Sequence, residues 1–215
     1  MKFVVRMFST ALAIILLVAF STAQVPQMSP FSADLQISST AEHAPQDMAG
    51  KIFVGGGHMR MNMSAAGRET AIITTFATKT VDILMPQQQM YVEFKADQAQ
   101  GRSPAAGTQD LKPIDPNNPC ANQSDVTCKK IGTEEINGRT CDHWQITDKN
   151  GRTSNVWIDQ KLRFPIKVVT DNSTMTLSNI KEGEPDASLF QIPSGFHKMD
   201  VGAMMPQGMG RPPQN

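Results

Sequence analysis

Three methionines at alternate positions, Met59-x-Met61-x-Met63, with His58 beside them, are the residues whose types and spacing most invite chemistry. Thioethers are soft ligands that select Cu(I), so the run admits a methionine-based copper handler. A plainer source for the spacing is a β-strand. Alternate side chains of an extended strand share one face, which puts the three methionines on one wall and His58, Arg60 and Asn62 on the other. Methionine fills irregular apolar shapes well, and the chain has 14 of them. The run therefore reads as the lining of an apolar interior. Extending the same alternation along the chain gives the candidate lining set Met59, Met61, Met63, Ile83, Met85, Met90 and Val92.

Other reactive types do not converge. Cys141 and His143 stand two apart, a thiol and a base on one strand face. At about 7 Å between such neighbours they lie beyond hydrogen-bond reach, so no nucleophile pair is assigned. His43, His58, His143 and His197 are scattered without the spacing of a zinc site. Gly55-Gly56-Gly57 lacks the Lys-Ser/Thr that follows a phosphate loop and reads as a turn between strands. Neither a Gly-x-Ser-x-Gly elbow nor a His-Glu-x-x-His run is present. Asp142 and Asp159 read as solvated or turn-capping, and Trp144 and Trp157 as core. No catalytic residue, metal ligand or cofactor is assigned, and the expectation is a non-enzyme.

The elements that must position these residues are strands. From Phe31 onward apolar and polar residues alternate between turn signals, the pattern of an antiparallel meander. Strands are expected near 31–38, 51–54, 58–63, 69–78, 80–85 and 90–94. A second run covers 129–136, 139–147, 153–159, 164–169 and 173–180, with a single helical turn at 186–190. Between the two runs, residues 95–127 are rich in Pro, Asn, Asp, Ser and Gly and read as one long loop. A sheet this long should curl around its apolar face, enclosing either a packed core or a ligand cavity.

Asn137-Gly138 is a two-residue hairpin turn, so Cys141 faces Glu134. Cys128 then lies about 20 Å along the strand and cannot bond Cys141. Cys120 with Cys128 is then the easier pair, closing a short loop, and it would leave Cys141 a buried free thiol.

The first residues give the compartment. Lys2 and Arg6, the apolar run 11–20 and the small residues Ser21-Thr22-Ala23 have the layout of a cleavable signal peptide over 1–23. The run is too short for a spanning helix, which needs about 20 apolar residues. Removing Lys2 and Arg6 from 20 basic side chains leaves 18 against 20 acids, net −2. That balance excludes an electrostatic drive towards nucleic acid. What remains is one β domain over 24–200, with a disordered tail at 201–215.

Val156-Trp157-Ile158-Asp159, then Phe164-Pro165-Ile166-Lys167, then Ser188-Leu189-Phe190-Gln191-Ile192-Pro193-Ser194-Gly195-Phe196 occur in an order that resembles LolA/LolB-like proteins. Within that fold the chain is similar to a bacterial periplasmic family of unknown function, whose members also carry a strand–Asn-Gly–strand segment like residues 136–144. The resemblance covers about 30–200. It implies a mainly β, curved antiparallel sheet forming an incomplete barrel with an apolar concave face under a lid. It also implies a partner, since relatives of that fold bind lipoprotein acyl chains or sense envelope stress. The expectation is thus a monomeric periplasmic carrier or binding protein for a lipid, an acyl chain or a lipidated protein. The alternatives are an envelope scaffold or sensor acting through protein partners, and the copper handler.

Overall fold

The structure, a computed structural model, describes residues 28–40, 47–95, 118–121 and 125–199. The segment read as a signal peptide at 1–23, the stretch read as a tail at 201–215 and most of the 95–127 segment lie outside the described residues. No helix among the described residues is long and apolar enough to cross a membrane.

The first run of alternating sequence forms six strands: β1 Phe31–Ser39, β2 Asp47–Gly55, β3 His58–Ala65, β4 Arg68–Thr75, β5 Thr80–Met85 and β6 Met90–Lys95. The second forms five: β7 Val126–Ile136, β8 Arg139–Asp148, β9 Thr153–Asp159, β10 Phe164–Val169 and β11 Ser173–Glu182. A 3-10 turn at Ala187–Phe190 follows, capped by the Asp186 carboxylate accepting from the Ser188 N–H at 2.8 Å. The chain then ends its described course in a two-residue strand, β12 His197–Lys198.

These elements build a single sheet in the order β12-β6-β5-β4-β3-β2-β1-β11-β10-β9-β8-β7. It is not closed into a barrel. A simple meander is expected from the sequence, but here two meanders meet at β1 and β11, so β6 and β7 are not neighbours. Pairing is antiparallel throughout except for β12, which runs parallel to β6.

Strand ends differ from expectation where side-chain alternation is weak. β2 begins at Asp47 rather than 51, because Ala49 and Gly50 carry too little side chain to mark a face. β4 stops at Thr75, since Phe76 to Lys79 turn the chain and Lys79 takes a φ of 53°. Gly56 and Gly57, with φ of 55° and 78°, make the β2–β3 turn in the left-handed region that glycine enters freely.

The chain after β11 is a strap over the outer face. It passes Gly55 so closely that a Cβ there would lie 2.8 Å from Pro185 Cδ. Phe190 stacks on His58 at 5.5 Å, and Arg60 donates to the Leu189 carbonyl at 2.7 Å. Phe196 then covers Ala71, Ile73 and Leu84. Backbone bonds from His197 and Met199 N–H to Gln89 and Tyr91 carbonyls, both 2.8 Å, fix the end against β6.

Candidate functional site

Register places the apolar side chains of β1–β6 in three rows across one face. The middle row is Ala33, Ile52, Met61, Ile72, Ile83 and Val92. On one side of it run Phe31, Val54, Met59, Thr74, Val81 and Phe94. On the other run Leu35, Gly50 and Met63 opposite Thr70, and further along Met85 opposite Met90. All seven candidate lining residues thus stand on the same face.

Their burial is uneven, and this divides the set. Met59 and Met61 are 1% and 4% exposed, and Ile83 and Val92 are also buried. Met63, Met85 and Met90 are only half-buried. Gly50, between Leu35 and Met63, has no side chain, and a Cβ there would meet the Asn62 carbonyl oxygen at 1.9 Å. The face therefore has a tightly packed centre and a softer margin of three flexible thioethers, beside a glycine where two strand backbones approach closely.

His58 stands apart from these thioethers, as the strand alternation implies. It points to the opposite face, where its Nδ1 lies 3.1 Å from Thr75 Oγ1 and its ring meets Phe190. A histidine-plus-thioether copper site at 58–63 does not form.

The other half of the sheet holds a different grouping. Trp157 Nε1–H donates to Glu134 Oε2 at 2.8 Å, and His143 Nδ1 lies 2.7 Å from Glu134 Oε1. His143 stacks on Trp157 at 4.2 Å, Lys167 Nζ sits 4.6 Å from the Trp157 ring centre, and His143 Nε2 is 3.0 Å from Asn155 Oδ1. The indole N–H holds the Glu134 carboxyl below the usual range, with His143 adding to it. This cluster is not legible from local pattern, because Lys167 reaches Trp157 only through the β-bulge between Pro165 and Lys167.

Cys141 and His143 do not act together. The Cys141 thiol bonds the Arg139 carbonyl at 3.4 Å, while both ring nitrogens of His143 are occupied elsewhere. Burial, with the nearby Asp159 charge, pushes the thiol up to about 11, so it stays protonated near neutrality. Register puts Cys141 opposite Glu134, and Cys120 is bonded to Cys128.

Asp142 and Asp159 are buried, not solvated. Asp159 caps its turn by accepting from Lys161 and Leu162 N–H at 2.9 and 2.7 Å, and pairs with Arg139. Asp142 takes Lys130 at 2.9 Å and Gln160 at 2.8 Å. Trp144 and Trp157 are both buried; Trp157 joins the main core, while Trp144 packs with Val156 and Ile158 and its indole N–H has no partner among the described residues.

Two hollows of about 520 and 390 Å³ flank Arg139, walled by Asn137, Ser178 and Asn179 on one side and Gln160, Lys161 and Glu182 on the other. Polar and charged side chains, with Ile180, line them, and the guanidinium is paired with Asp159 and Glu182.

Fold and face together define an open, curled β-sheet protein, an incomplete barrel with one apolar wall. The chain belongs to the DUF4412 family, described as a domain of unknown function, whose model matches residues 31–163. This is the kind of family that the order of sequence motifs implies. No curated protein matches the chain. Among solved structures, an uncharacterized conserved protein from Thermus thermophilus is 9% identical over 80% of this chain and 90% of that one, with a TM-score of 0.54. That likeness is one of fold. Looser matches include the Pseudomonas aeruginosa MucA/MucB complex (11% identity, 79% of this chain, TM-score 0.48), of which the chain spans 57%. A LolA superfamily protein from Nitrosomonas europaea matches at 12% identity over 78% of this chain and 92% of that chain, TM-score 0.38. Both are too loose to transfer a function.

Proposed function

We propose that this is an exported, periplasmic binding or carrier protein whose inner face takes the acyl chain of a lipid or of a lipidated protein. The observation that supports it is the six-strand apolar wall with half-buried Met63, Met85 and Met90 along one margin. Thioether side chains repack at low cost, so an acyl chain enters by displacing that margin rather than by filling a standing cavity. Binding is driven by apolar area removed from water, about 25 cal/mol per Å². The signal-like residues 1–23 and the Cys120–Cys128 disulfide both suit an oxidising compartment outside the cytoplasm.

A second reading is favoured by the buried centre of the same wall. With Met59 and Met61 1% and 4% exposed, the interior serves equally as a packed core, and the protein is then an envelope scaffold or sensor acting through protein partners. Native mass spectrometry of protein purified from its own envelope, with fluorescent fatty-acid titration, separates the two. Carried lipid, or saturable uptake weakened by Met85→Lys, is the expected result. Absence of both leaves the scaffold.

A further inference from the structure

The two ends of the sheet are finished differently. At one end β6 is covered by β12 and the strap. At the other, β7 is the last strand, 11 residues long, and its outer backbone edge has no partner strand among the described residues. Unpaired edges are templates for another strand, and proteins commonly defend them with lysines and bulges. β7 has both, with a bulge between Lys130 and Gly132, but its charges are laid out with a symmetry that simple defence does not need.

Along the strand the order is Lys129-Lys130-Ile131-Gly132-Thr133-Glu134-Glu135. Two such strands running parallel set like charges side by side. Running antiparallel, each lysine pair meets a glutamate pair. Ile131, between them, is 47% exposed and is the exposed large apolar side chain of the described residues. Beside it the space at Gly132 is open, with nothing within 4 Å of where a Cβ would stand. Lys129 and Glu134 project to the same face, since they oppose Gln145 and Cys141, four residues apart on β8.

We propose that the chain pairs with a second copy of itself through the free edge of β7, antiparallel about a two-fold axis between Ile131 and Gly132. In that register Ile131 sits against the open Gly132 of the second copy, and Lys129 stands opposite its Glu134. Lys130 lies diagonally from Glu135 of the second copy. The contact joins two sheets into one and leaves the apolar wall of each untouched. It replaces the monomer expected from the sequence and does not depend on the proposed ligand. An edge contact buries little area beyond the strands, so the dimer is weak and concentration-dependent.

Sedimentation equilibrium on the protein as its host exports it tests this. A dimer forming in the micromolar range and loosening in high salt is expected. Lys129→Glu and Glu134→Lys each place like charges opposite one another twice, and each weakens self-association by about tenfold. An equimolar mixture of the two variants restores it, because both cross-strand pairs are then of opposite sign. Should Glu134→Lys fail to fold on losing its bonds to Trp157 and His143, Ile131→Lys, at an exposed position on the axis, must also abolish the dimer. A protein monomeric to about 100 µM in low salt, a dimer that survives Ile131→Lys, or a mixture of folded variants that stays monomeric overturns the proposal.

Discussion

β1–β6 and β7–β11 are the two runs of one sheet built by the same alternation, yet they use their inward and edge positions differently. In the first half three rows of apolar residues cross the strands with little polar interruption. In the second, Glu134, His143, Trp157 and Lys167 interlock through hydrogen bonds and ring contacts, and Asp159 separately holds Arg139 and two backbone N–H groups. The first half holds shape by area, which tolerates repacking. The second contributes its own share of the core and adds directional contacts, which do not. A guest that must be admitted belongs on the first kind of surface, and a contact that must be specific belongs on the second.

The largest effect expected follows from the contrast within the apolar half itself. Met61→Asp puts a carboxylate in the middle row among Ile52 and Ile72, where no group can pair it. Loss of about 4 kcal/mol or more is expected, enough to leave little folded protein. Met63→Asp, two residues on at the half-buried margin, should cost about 1 kcal/mol. Urea unfolding of the two variants compares them directly. Equal losses would mean that the margin is as tightly packed as the centre, and the entry route proposed for a guest would fail with it.

In the polar half the corresponding weak point is Asp159. Its carboxylate accepts from two backbone N–H groups and neutralises Arg139 from a fully buried position. Asp159→Asn keeps the shape, removes the charge and turns one acceptor into a donor. A loss of about 3 kcal/mol is expected, visible as a lower urea midpoint. Glu182 still pairs with Arg139 at 3.0 Å, which keeps the loss below that of Met61→Asp. A ranking in the other order would put the stability of the sheet in its polar half.

How much of this is legible in sequence differs between the halves for a physical reason. The apolar rows follow from period-two alternation once the hairpins are in register, and Met59, Met61 and Met63 announce their face directly. Asn137-Gly138 fixes the β7–β8 register and with it Cys141 opposite Glu134. The polar cluster depends on two bulges, at Lys130–Gly132 and Pro165–Lys167, each of which shifts pairing by one residue; Gly132 and Pro165 hint at a break in each strand but not at which residue is left unpaired. The joining of β1 to β11 spans more than 130 residues and leaves no trace in either strand. β12 is too short, at two residues, to show a pattern.

Asp82 is a polar intruder in the apolar half and offers a smaller test. It lies on the outer face of β5 opposite Glu93, nearly buried, and its Oδ1 has no hydrogen-bond partner among the described residues. Burial, and then the Glu93 charge, raise its pKa above the ordinary 3.8. Between that value and the raised one the folded chain holds a proton that the unfolded chain has released. Its contribution to stability therefore falls as pH rises through this window and stays low above it. Asp82→Asn should raise Tm by about 2 °C at pH 7 and by less at pH 4. A gap that is larger at pH 4 would reverse the sign of the argument.

A test of similar size compares two turns of matching geometry, one from each half. Ala66-Gly67 joins β3 to β4 with φ of 50° and 75°, and Asn137-Gly138 joins β7 to β8 with φ of 51° and 75°. Both first positions are left-handed, which strains an alanine by about 1 kcal/mol and suits asparagine. Asn137 also donates from Nδ2 to the Leu177 carbonyl at 3.2 Å, tying its turn to β11. Ala66→Asn should therefore stabilise by about 0.5–1 kcal/mol, and Asn137→Ala should destabilise by somewhat more than that amount, because it loses the hydrogen bond as well as the backbone fit. Differential scanning calorimetry reads both. The difference in magnitude between the two changes isolates the Asn137–Leu177 contact, since the backbone part is common to both turns. Equal and opposite shifts would show that this contact contributes nothing, and that the polar half is held at its turn by backbone geometry alone.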